Sequence, residues 1–195
     1  MELRLIIAGI GGQGVVFATK VLSHAALARG EAVLASESHG MSQRGGSVMS
    51  HLKVGGSAAA LIRRGTADAL IAFDRDEALR NLTYLRPGGS AIVNSADGLA
   101  APVLACLAAL DIGVFSVDAS ACAEALGAPA AANLVVLGFA AGHGRIGFSP
   151  QELKQAAREL SPARAVDTNW RALDAGAGRA GAKRDGQPTD SGLQL

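Results

Sequence analysis

A glycine-rich turn between an apolar segment and a helical pattern constrains the fold of this chain more than any other feature. Residues 5–8 form a short continuous apolar run, which is typical of a strand buried on both faces. Small apolar residues then recur at helical spacing from residue 13 to 29, and Gly30 is suited to end that helix. A second strand at residues 32–36 completes a predicted βαβ unit. The turn itself contains Gly9, Gly11 and Gly14 with Gly-x-Gly-x-x-Gly spacing.

Strand-like patterns continue along the chain. Residues 47–54 alternate, so we expect Val48, Leu52 and Val54 to share one face. Four more strands are predicted over residues 58–62, 69–73, 90–94 and 114–117.

Helical patterns separate these strands. Asp74, followed three residues later by Glu77, predicts the start of a helix that ends at residues 87–89. Its apolar face comprises Ala78, Leu82 and Leu85. A second helix is predicted over residues 103–110, and a short one ends near Gly127.

The last third of the chain gives one ambiguous signal and one clear one. Residues 133–141 are apolar except for Asn133, which suggests a central helix or strand with one polar group aimed at a site. Ser149 and Glu152 fit a capping box, and Pro150 stands at the first helical position between them. A helix is therefore predicted from residue 150 onward.

Length and composition limit the class of protein. Residues 1–175 are predicted to form a single domain, because 195 residues suit one hydrophobic core and no linker is visible. Residues 176–195 contain almost no large apolar side chain, so we expect a disordered tail. The chain has 18 basic and 17 acidic residues, a balance that argues against a nucleic-acid partner.

The same composition predicts a cytoplasmic protein. The longest apolar run, residues 99–110, contains Pro102 and is shorter than the roughly 18 residues of a membrane span. We expect no signal peptide and no membrane partner. Cys106 and Cys122 lack metal-site spacing and are too few for a disulfide scaffold, which favours a reducing compartment and no metal site.

The glycine turn admits a functional and a structural interpretation. Backbone amides of such a turn, with the following helix N-terminus, can bind a pyrophosphate. Glu37 lies 23 residues beyond Gly14, where a dinucleotide-binding protein places the acid that binds ribose. A stand-alone NAD(P)- or flavin-binding Rossmann protein is thus one hypothesis. Alternatively, the glycines serve only a tight turn and helix packing.

A polar loop between two predicted strands is the second candidate site. Residues 36–55 read SESHGMSQRGGSVMSHLKVG and contain His39, Gln43 and Arg44 before the glycine pair Gly45–Gly46. The planar fork of Arg44 suits a phosphate or carboxylate, and the glycines let backbone approach the ligand. The rival interpretation is a surface loop with a solvated arginine. His24 and His143 are expected to be structural or exposed, and His51 is expected to be a strand residue that faces the site or solvent.

These motifs resemble a known family. Residues 9–14 (GIGGQG) and the block at 36–55 are similar to the small, beta subunits of indolepyruvate ferredoxin oxidoreductases. Those subunits correspond to the gamma subunit or domain of the 2-oxoacid:ferredoxin oxidoreductases. Further matches are DALIAFDRDEALRNLTYLRPGG at 68–89, AANLVVLG at 131–138 and NWRALDAG at 169–176. Lys53 and Leu173 depart from the residues expected there.

The resemblance implies a fold and a reaction. The fold would be a three-layer α/β/α sandwich with a largely parallel, Rossmann-like sheet. The reaction would be oxidative decarboxylation of an aryl 2-oxoacid with coenzyme A, giving an aryl-acetyl-CoA, carbon dioxide and reduced ferredoxin. Thiamine diphosphate, magnesium and iron–sulfur clusters would be held by a larger alpha subunit, because two cysteines and the isolated pair Asp97–Gly98 do not make such sites. This chain alone would be inactive.

The resemblance also implies roles for the two glycine-rich segments. His39, Gln43 and Arg44 would be catalytic residues of the assembled complex. The residues expected to bind a cofactor or co-substrate are Gly9, Gly11, Gly12, Gln13, Gly14, Gly45 and Gly46, and Glu37 is added to them as the ribose-binding acid of the dinucleotide interpretation. Ferredoxin would be the electron acceptor of the complex. A pure assembly module without a ligand of its own is a third hypothesis.

Overall fold

The computed structural model describes residues 2–39, 45–56 and 59–180, and in these ranges six strands form one sheet. The strands are β1 (Leu3–Ile10), β2 (Val33–His39), β3 (Ser47–Val54), β4 (Ala67–Ala72), β5 (Leu85–Asn94) and β6 (Gly113–Val117). Their order across the sheet is β2-β3-β1-β4-β5-β6. Five of these strands run in one direction and β3 runs against them.

Helices cover both faces of this sheet. They are α1 (Val15–Ala28), α2 (Arg75–Asn81), α3 (Ala101–Ala109), α4 (Ala119–Ala125), α5 (Ala132–Gly142), α6 (Pro150–Leu160) and α7 (Ala163–Ala177). Buried residues of α1, α4, α5, α6 and α7 pack against one face, and those of α2 and α3 against the other. The predicted α/β fold is confirmed: a six-stranded mixed sheet lies between two helical layers. None of the described helices is long and apolar enough to cross a bilayer.

The predicted βαβ unit is wrong in one respect, because β1 and β2 are not neighbours. β3 lies between them and pairs antiparallel with both, so that Leu52 faces Leu5 on one side and Ala35 on the other. β3 is buried along most of its length, whereas β2 is partly exposed. The backbone of a buried strand needs a hydrogen-bonding partner along each of its two edges, so the buried β3 lies inside the sheet and the more exposed β2 lies at its edge.

Two predicted boundaries also differ from the structure. Residues 59–62 are not a strand; residue 58 lies outside the described ranges. The α2 helix stops at Asn81, a 3-10 turn follows, and Leu85 begins β5, which contains residues 87–89. Leu85 is buried among the α2-side apolar residues. The sequence pattern correctly indicated that Leu85 is buried, but this residue is buried as part of a strand and not of a helix.

The helix α7 was not predicted, and it packs unusually close to α5. A Cβ atom added at Gly138 would lie 2.0 Å from the carbonyl oxygen of Leu173, and one added at Gly176 would lie 2.0 Å from that of Val135. The two glycines therefore let the backbones of α5 and α7 touch. α7 ends at Ala177, two residues beyond the predicted domain boundary, and residues 181–195 of the predicted tail lie outside the described ranges.

Gly176→Ala is expected to destabilise the isolated chain by about 3 kcal/mol, the upper part of the range for overpacking, because the new methyl group would press on backbone atoms. Gly178→Ala is the matched control, since its added Cβ would meet its nearest atom at 3.4 Å, an ordinary contact. Urea denaturation of both variants measures the difference. Equal midpoints for the two variants would show that the α5–α7 contact is not as close as described.

Candidate functional site

The glycine turn connects the end of β1 to the start of α1. The amide of Gln13 donates to the carbonyl oxygen of Ile10 at 3.0 Å, and the amide of Ile10 donates to the Gln13 side-chain oxygen at 2.8 Å. The Gln13 oxygen is thus engaged inside the turn, although this residue was predicted to contact a ligand. It stabilises the turn from within.

Different structural constraints explain why glycine occupies each of these positions of the turn. Gly14 has φ 81° and is the N-cap residue of α1, and a Cβ atom there would lie 2.1 Å from the Asn133 side-chain nitrogen. At Gly9 a Cβ atom would lie 2.9 Å from the Gln13 oxygen. Gly12 has φ 102°, but a Cβ atom there would face open space. Packing therefore explains Gly9 and Gly14, whereas at Gly12 the backbone is left open to a ligand.

Asn133 links the turn to the first turn of α5. Its side chain is buried; the amide nitrogen donates to the carbonyl oxygen of Gly14 at 3.3 Å, and its oxygen accepts from the amide of Leu134 at 2.8 Å. The sequence predicted a polar group aimed at a site, and Asn133 does lie at the glycine turn. Its hydrogen bonds hold the turn in place.

The exit of the polar loop lies directly beside the turn. The amide of Gly11 donates to the carbonyl oxygen of Gly46 at 2.8 Å, and Ile10 pairs with Ser47 in the sheet. Gly45 has φ 77°, which requires glycine or strain. The predicted sites at Gln43 and Arg44 lie outside the described residues, as does the side chain of His39, whose backbone ends β2 opposite Val48.

Glu37 lies away from the turn. It is exposed on the edge strand β2, opposite Ser50 of β3. Two strand spacings separate β2 from β1, about 10 Å in all. In a dinucleotide-binding fold the strand that carries the ribose-binding acid is the direct neighbour of the first strand. The inserted β3 therefore removes the geometric basis for a ribose contact by Glu37.

Two clefts flank the N-terminus of α1 and share Gly14 and Phe17. The first has a volume of about 440 Å³ and is also lined by Gly11, Gly12 and Lys20. The second has a volume of about 530 Å³ and includes Asn133, Arg164 and Thr168. Among the described residues, each cleft is lined by one cationic side chain and no carboxylate. Together they form a groove around the helix terminus, which we call the α1 groove.

The helix termini at the α1 groove favour an anion. The N-cap residues of α1, α5 and α7 make no side-chain capping bond, and none of these three helices has an acidic residue in its first turn. By contrast, Asp74, Asp118 and Ser149 cap α2, α4 and α6 away from the groove. The Leu134 amide of α5 already donates to the Asn133 side chain and the Ala165 amide of α7 to the Pro162 carbonyl oxygen. The uncapped amides at the start of α1 and the positive ends of the helix dipoles attract negative charge.

Lys20, Phe17 and Arg164 were missed by the sequence analysis. Phe17 and Lys20 are three residues apart on α1, so the helical pattern contained a signal for a shared face. Arg164 had no local signal, because it belongs to a helix that is distant in sequence and was not predicted.

The described histidines lie outside the groove. His51 is buried, and its Nδ1 accepts a hydrogen bond from the amide of Ile62 at 3.1 Å. Burial and then the charge of Lys53 lower the pKa of His51, as suits a neutral acceptor. His24 contacts Glu159 at 2.6 Å on the surface, and His143 packs against Phe115 and Phe139. The contacts of His24 and His143 agree with the structural or exposed positions expected of them, but the expectation that His51 faces the site or solvent is wrong, because its ring is buried.

Comparison with known proteins gives sequence and structural matches. A sequence profile of the pyruvate ferredoxin/flavodoxin oxidoreductase family matches residues 4–178. Indolepyruvate oxidoreductase subunit IorB of Archaeoglobus fulgidus is 36% identical over 189 residues, which cover 90% of this chain and 94% of that protein. The keto/oxoacid ferredoxin oxidoreductase gamma subunit of Geobacter sulfurreducens has a TM-score of 0.73 at 24% identity, covering 93% of this chain and 99% of that chain.

A larger protein contains the same fold as one part. The 2-oxoglutarate:ferredoxin oxidoreductase of Magnetococcus marinus, solved with 2-oxoglutarate, coenzyme A and succinyl-CoA, has a TM-score of 0.75 at 20% identity. The match covers 93% of this chain and 31% of that one. These two structures show a common fold, and the profile and the archaeal relative show common descent over nearly the whole described chain. The chain therefore belongs to the pyruvate ferredoxin/flavodoxin oxidoreductase family.

Proposed function

We propose that this chain is the small subunit of a cytoplasmic 2-oxoacid:ferredoxin oxidoreductase that acts on indolepyruvate or a related aryl-pyruvate. The complex would decarboxylate the oxoacid oxidatively with coenzyme A, giving an aryl-acetyl-CoA, carbon dioxide and reduced ferredoxin. The similarity to an indolepyruvate oxidoreductase subunit supports the substrate class. The observation that carries the proposal is the Gly11–Gly46 hydrogen bond, which joins the polar loop to the turn at an uncapped helix terminus.

The redox and thiamine chemistry is assigned to a larger alpha subunit. The described part of this chain does not suit an iron–sulfur cluster, because Cys106 is exposed on α3 and Cys122 is buried on α4. In the described ranges, no three histidine, cysteine or carboxylate side chains are grouped to hold a metal ion. We therefore propose that thiamine diphosphate, magnesium and the clusters belong to the partner, and that this chain alone is inactive.

The contribution of this chain would be to bind and orient an anion. The free amides at the start of α1, with Lys20 and Arg164 and no carboxylate among the described lining residues, make the α1 groove attractive to a phosphate or carboxylate. Coenzyme A carries the first group and the oxoacid the second. Coenzyme A is present in the Magnetococcus marinus enzyme that shares this fold.

The polar loop would supply the specific contacts. A guanidinium group keeps its charge at working pH, so the role of Arg44 would be to bind an anion and not to transfer a proton. His39 and Gln43 would complete the contacts to the reacting ligand, while Gly45 and Gly46 keep the backbone close to the turn. The stand-alone dinucleotide-binding alternative is disfavoured, because it depended on Glu37 as the ribose ligand.

Arg44→Ala is expected to raise one KM of the assembled complex about 10- to 100-fold, since losing a charge-assisted hydrogen bond costs roughly 1.5–3 kcal/mol. Arg44→Lys should restore little of this affinity, because lysine lacks the planar fork. Arg63→Ala is a matched control, an exposed arginine beside Leu3 at the opposite end of β1.

Two half-reactions identify the ligand of Arg44. Decarboxylation without coenzyme A reports on the oxoacid, and release of the acyl group on adding coenzyme A reports on the thiol substrate. Wild-type affinities in both steps, with the complex assembled, would refute a ligand role for Arg44.

Gly12→Ala is expected to lower kcat/KM of the complex by about tenfold or more, because the residue has positive φ and a side chain would intrude where the ligand approaches. Gly65→Ala is the control: Gly65 also has positive φ, 74°, and open space at its Cβ position, but it precedes β4 away from the groove. Both changes should lower the melting temperature similarly. Equal kcat/KM values in the two variants would count against a ligand at the turn.

A further inference from the structure

A buried carboxylate lies behind the point where the polar loop joins β3. Glu77 of α2 is 1% exposed. Its Oε2 accepts a hydrogen bond from the Ser47 hydroxyl at 2.6 Å, and its Oε1 accepts one from Arg80. Ser47 is the first residue of β3 and directly follows Gly46. The carboxylate therefore connects α2 to the exit of the loop.

The helix does not need this carboxylate for its own start. The sequence suggested that Glu77 marks the helix N-terminus together with Asp74. In the structure the Asp74 side chain alone accepts the amides of Asp76 at 2.9 Å and Glu77 at 3.1 Å. The Glu77 carboxylate instead accepts hydrogen bonds from the side chains of Ser47 and Arg80. Burying a carboxylate is costly unless it is paired, and here the pairing includes the loop exit.

The loop exit is held from two directions. In the plane of the sheet, the Gly46 carbonyl oxygen accepts from the Gly11 amide. On the α2 side, the Ser47 hydroxyl donates to Glu77. Two bonds at successive residues fix both the position and the rotation of the backbone where it leaves the loop.

We propose that Glu77 and Ser47 are positioning residues that hold Gly46, at the described exit of the polar loop, against Gly11 and so set the backbone of the glycine turn at the α1 groove. Arg80, whose side chain is 66% exposed, neutralises the buried carboxylate from the solvent side. This inference rests on the proposed function, because it assigns the two residues to ligand binding through the loop. Neither residue touches the ligand itself.

The test compares hydroxyl variants in the assembled complex. Ser47→Ala removes the bond, and Ser47→Thr keeps a hydroxyl. Ser149→Ala is the control, because it removes a comparable bond from the α6 capping box, remote from the loop. Glu77→Gln is a second variant that keeps an acceptor but not the charge. Hydrogen exchange of peptides spanning residues 39–49 and the KM values for indolepyruvate and coenzyme A are measured for each.

Ser47→Ala is expected to speed exchange across residues 45–49 and to raise one KM about 5- to 10-fold, within the range for losing a bond to a charged group, with kcat changed less than about twofold. Ser47→Thr should restore both values, and Glu77→Gln should shift the same KM by less. Ser149→Ala should lower the melting temperature without moving either readout.

Two results would overturn the inference. Unchanged exchange in Ser47→Ala would show that the bond does not hold the loop, whatever the function. Faster exchange with unchanged KM would show that the bond is only structural. The Arg44→Ala complex distinguishes failure of this inference from failure of the proposed function. If Arg44→Ala raises a KM while Ser47→Ala leaves both KM values unchanged, only the positioning role of Ser47 and Glu77 is refuted.

Discussion

The insertion of β3 between β1 and β2 is the constraint on which the candidate site depends. Because β3 runs antiparallel beside β1, its first residue lies next to the last residue of β1, and the Gly11 amide reaches the Gly46 carbonyl oxygen. A direct β1–β2 pairing would leave the loop exit one strand further away. The strand order thus brings together Gly11 and Gly46, which are 35 residues apart in the sequence.

The electrostatics of the site follow from what surrounds that junction. Asp74, Asp118 and Ser149 cap α2, α4 and α6, but the N-cap residue of α1 is Gly14, which has no side chain to cap the helix and packs against Asn133. The free amides therefore remain available, and the described groove residues offer cations without a competing carboxylate. A surface of this kind attracts negative charge, in agreement with the proposed binding of an anionic ligand. It would suit the proposed complex, in which a larger partner carries the redox groups.

Sequence patterns predicted the structural features that depend only on residues close together in the chain. The Ser149–Glu152 capping box is complete within four residues and is confirmed, as is the packing of Val48, Leu52 and Val54 on one face of β3. Leu85 was misassigned because its apolar spacing fits a helix and a strand equally. Strand order and the contact between Gly138 and α7 depend on distant residues, so no local pattern contained them.

The measurement that tests the central claim most directly is reconstitution. This chain is expressed with a candidate large subunit, and ferredoxin reduction is followed with indolepyruvate and coenzyme A. The account predicts a stable brown complex whose activity requires both chains and both substrates. A large subunit that is fully active without this chain, or a chain that purifies alone with bound nicotinamide or flavin, would contradict it.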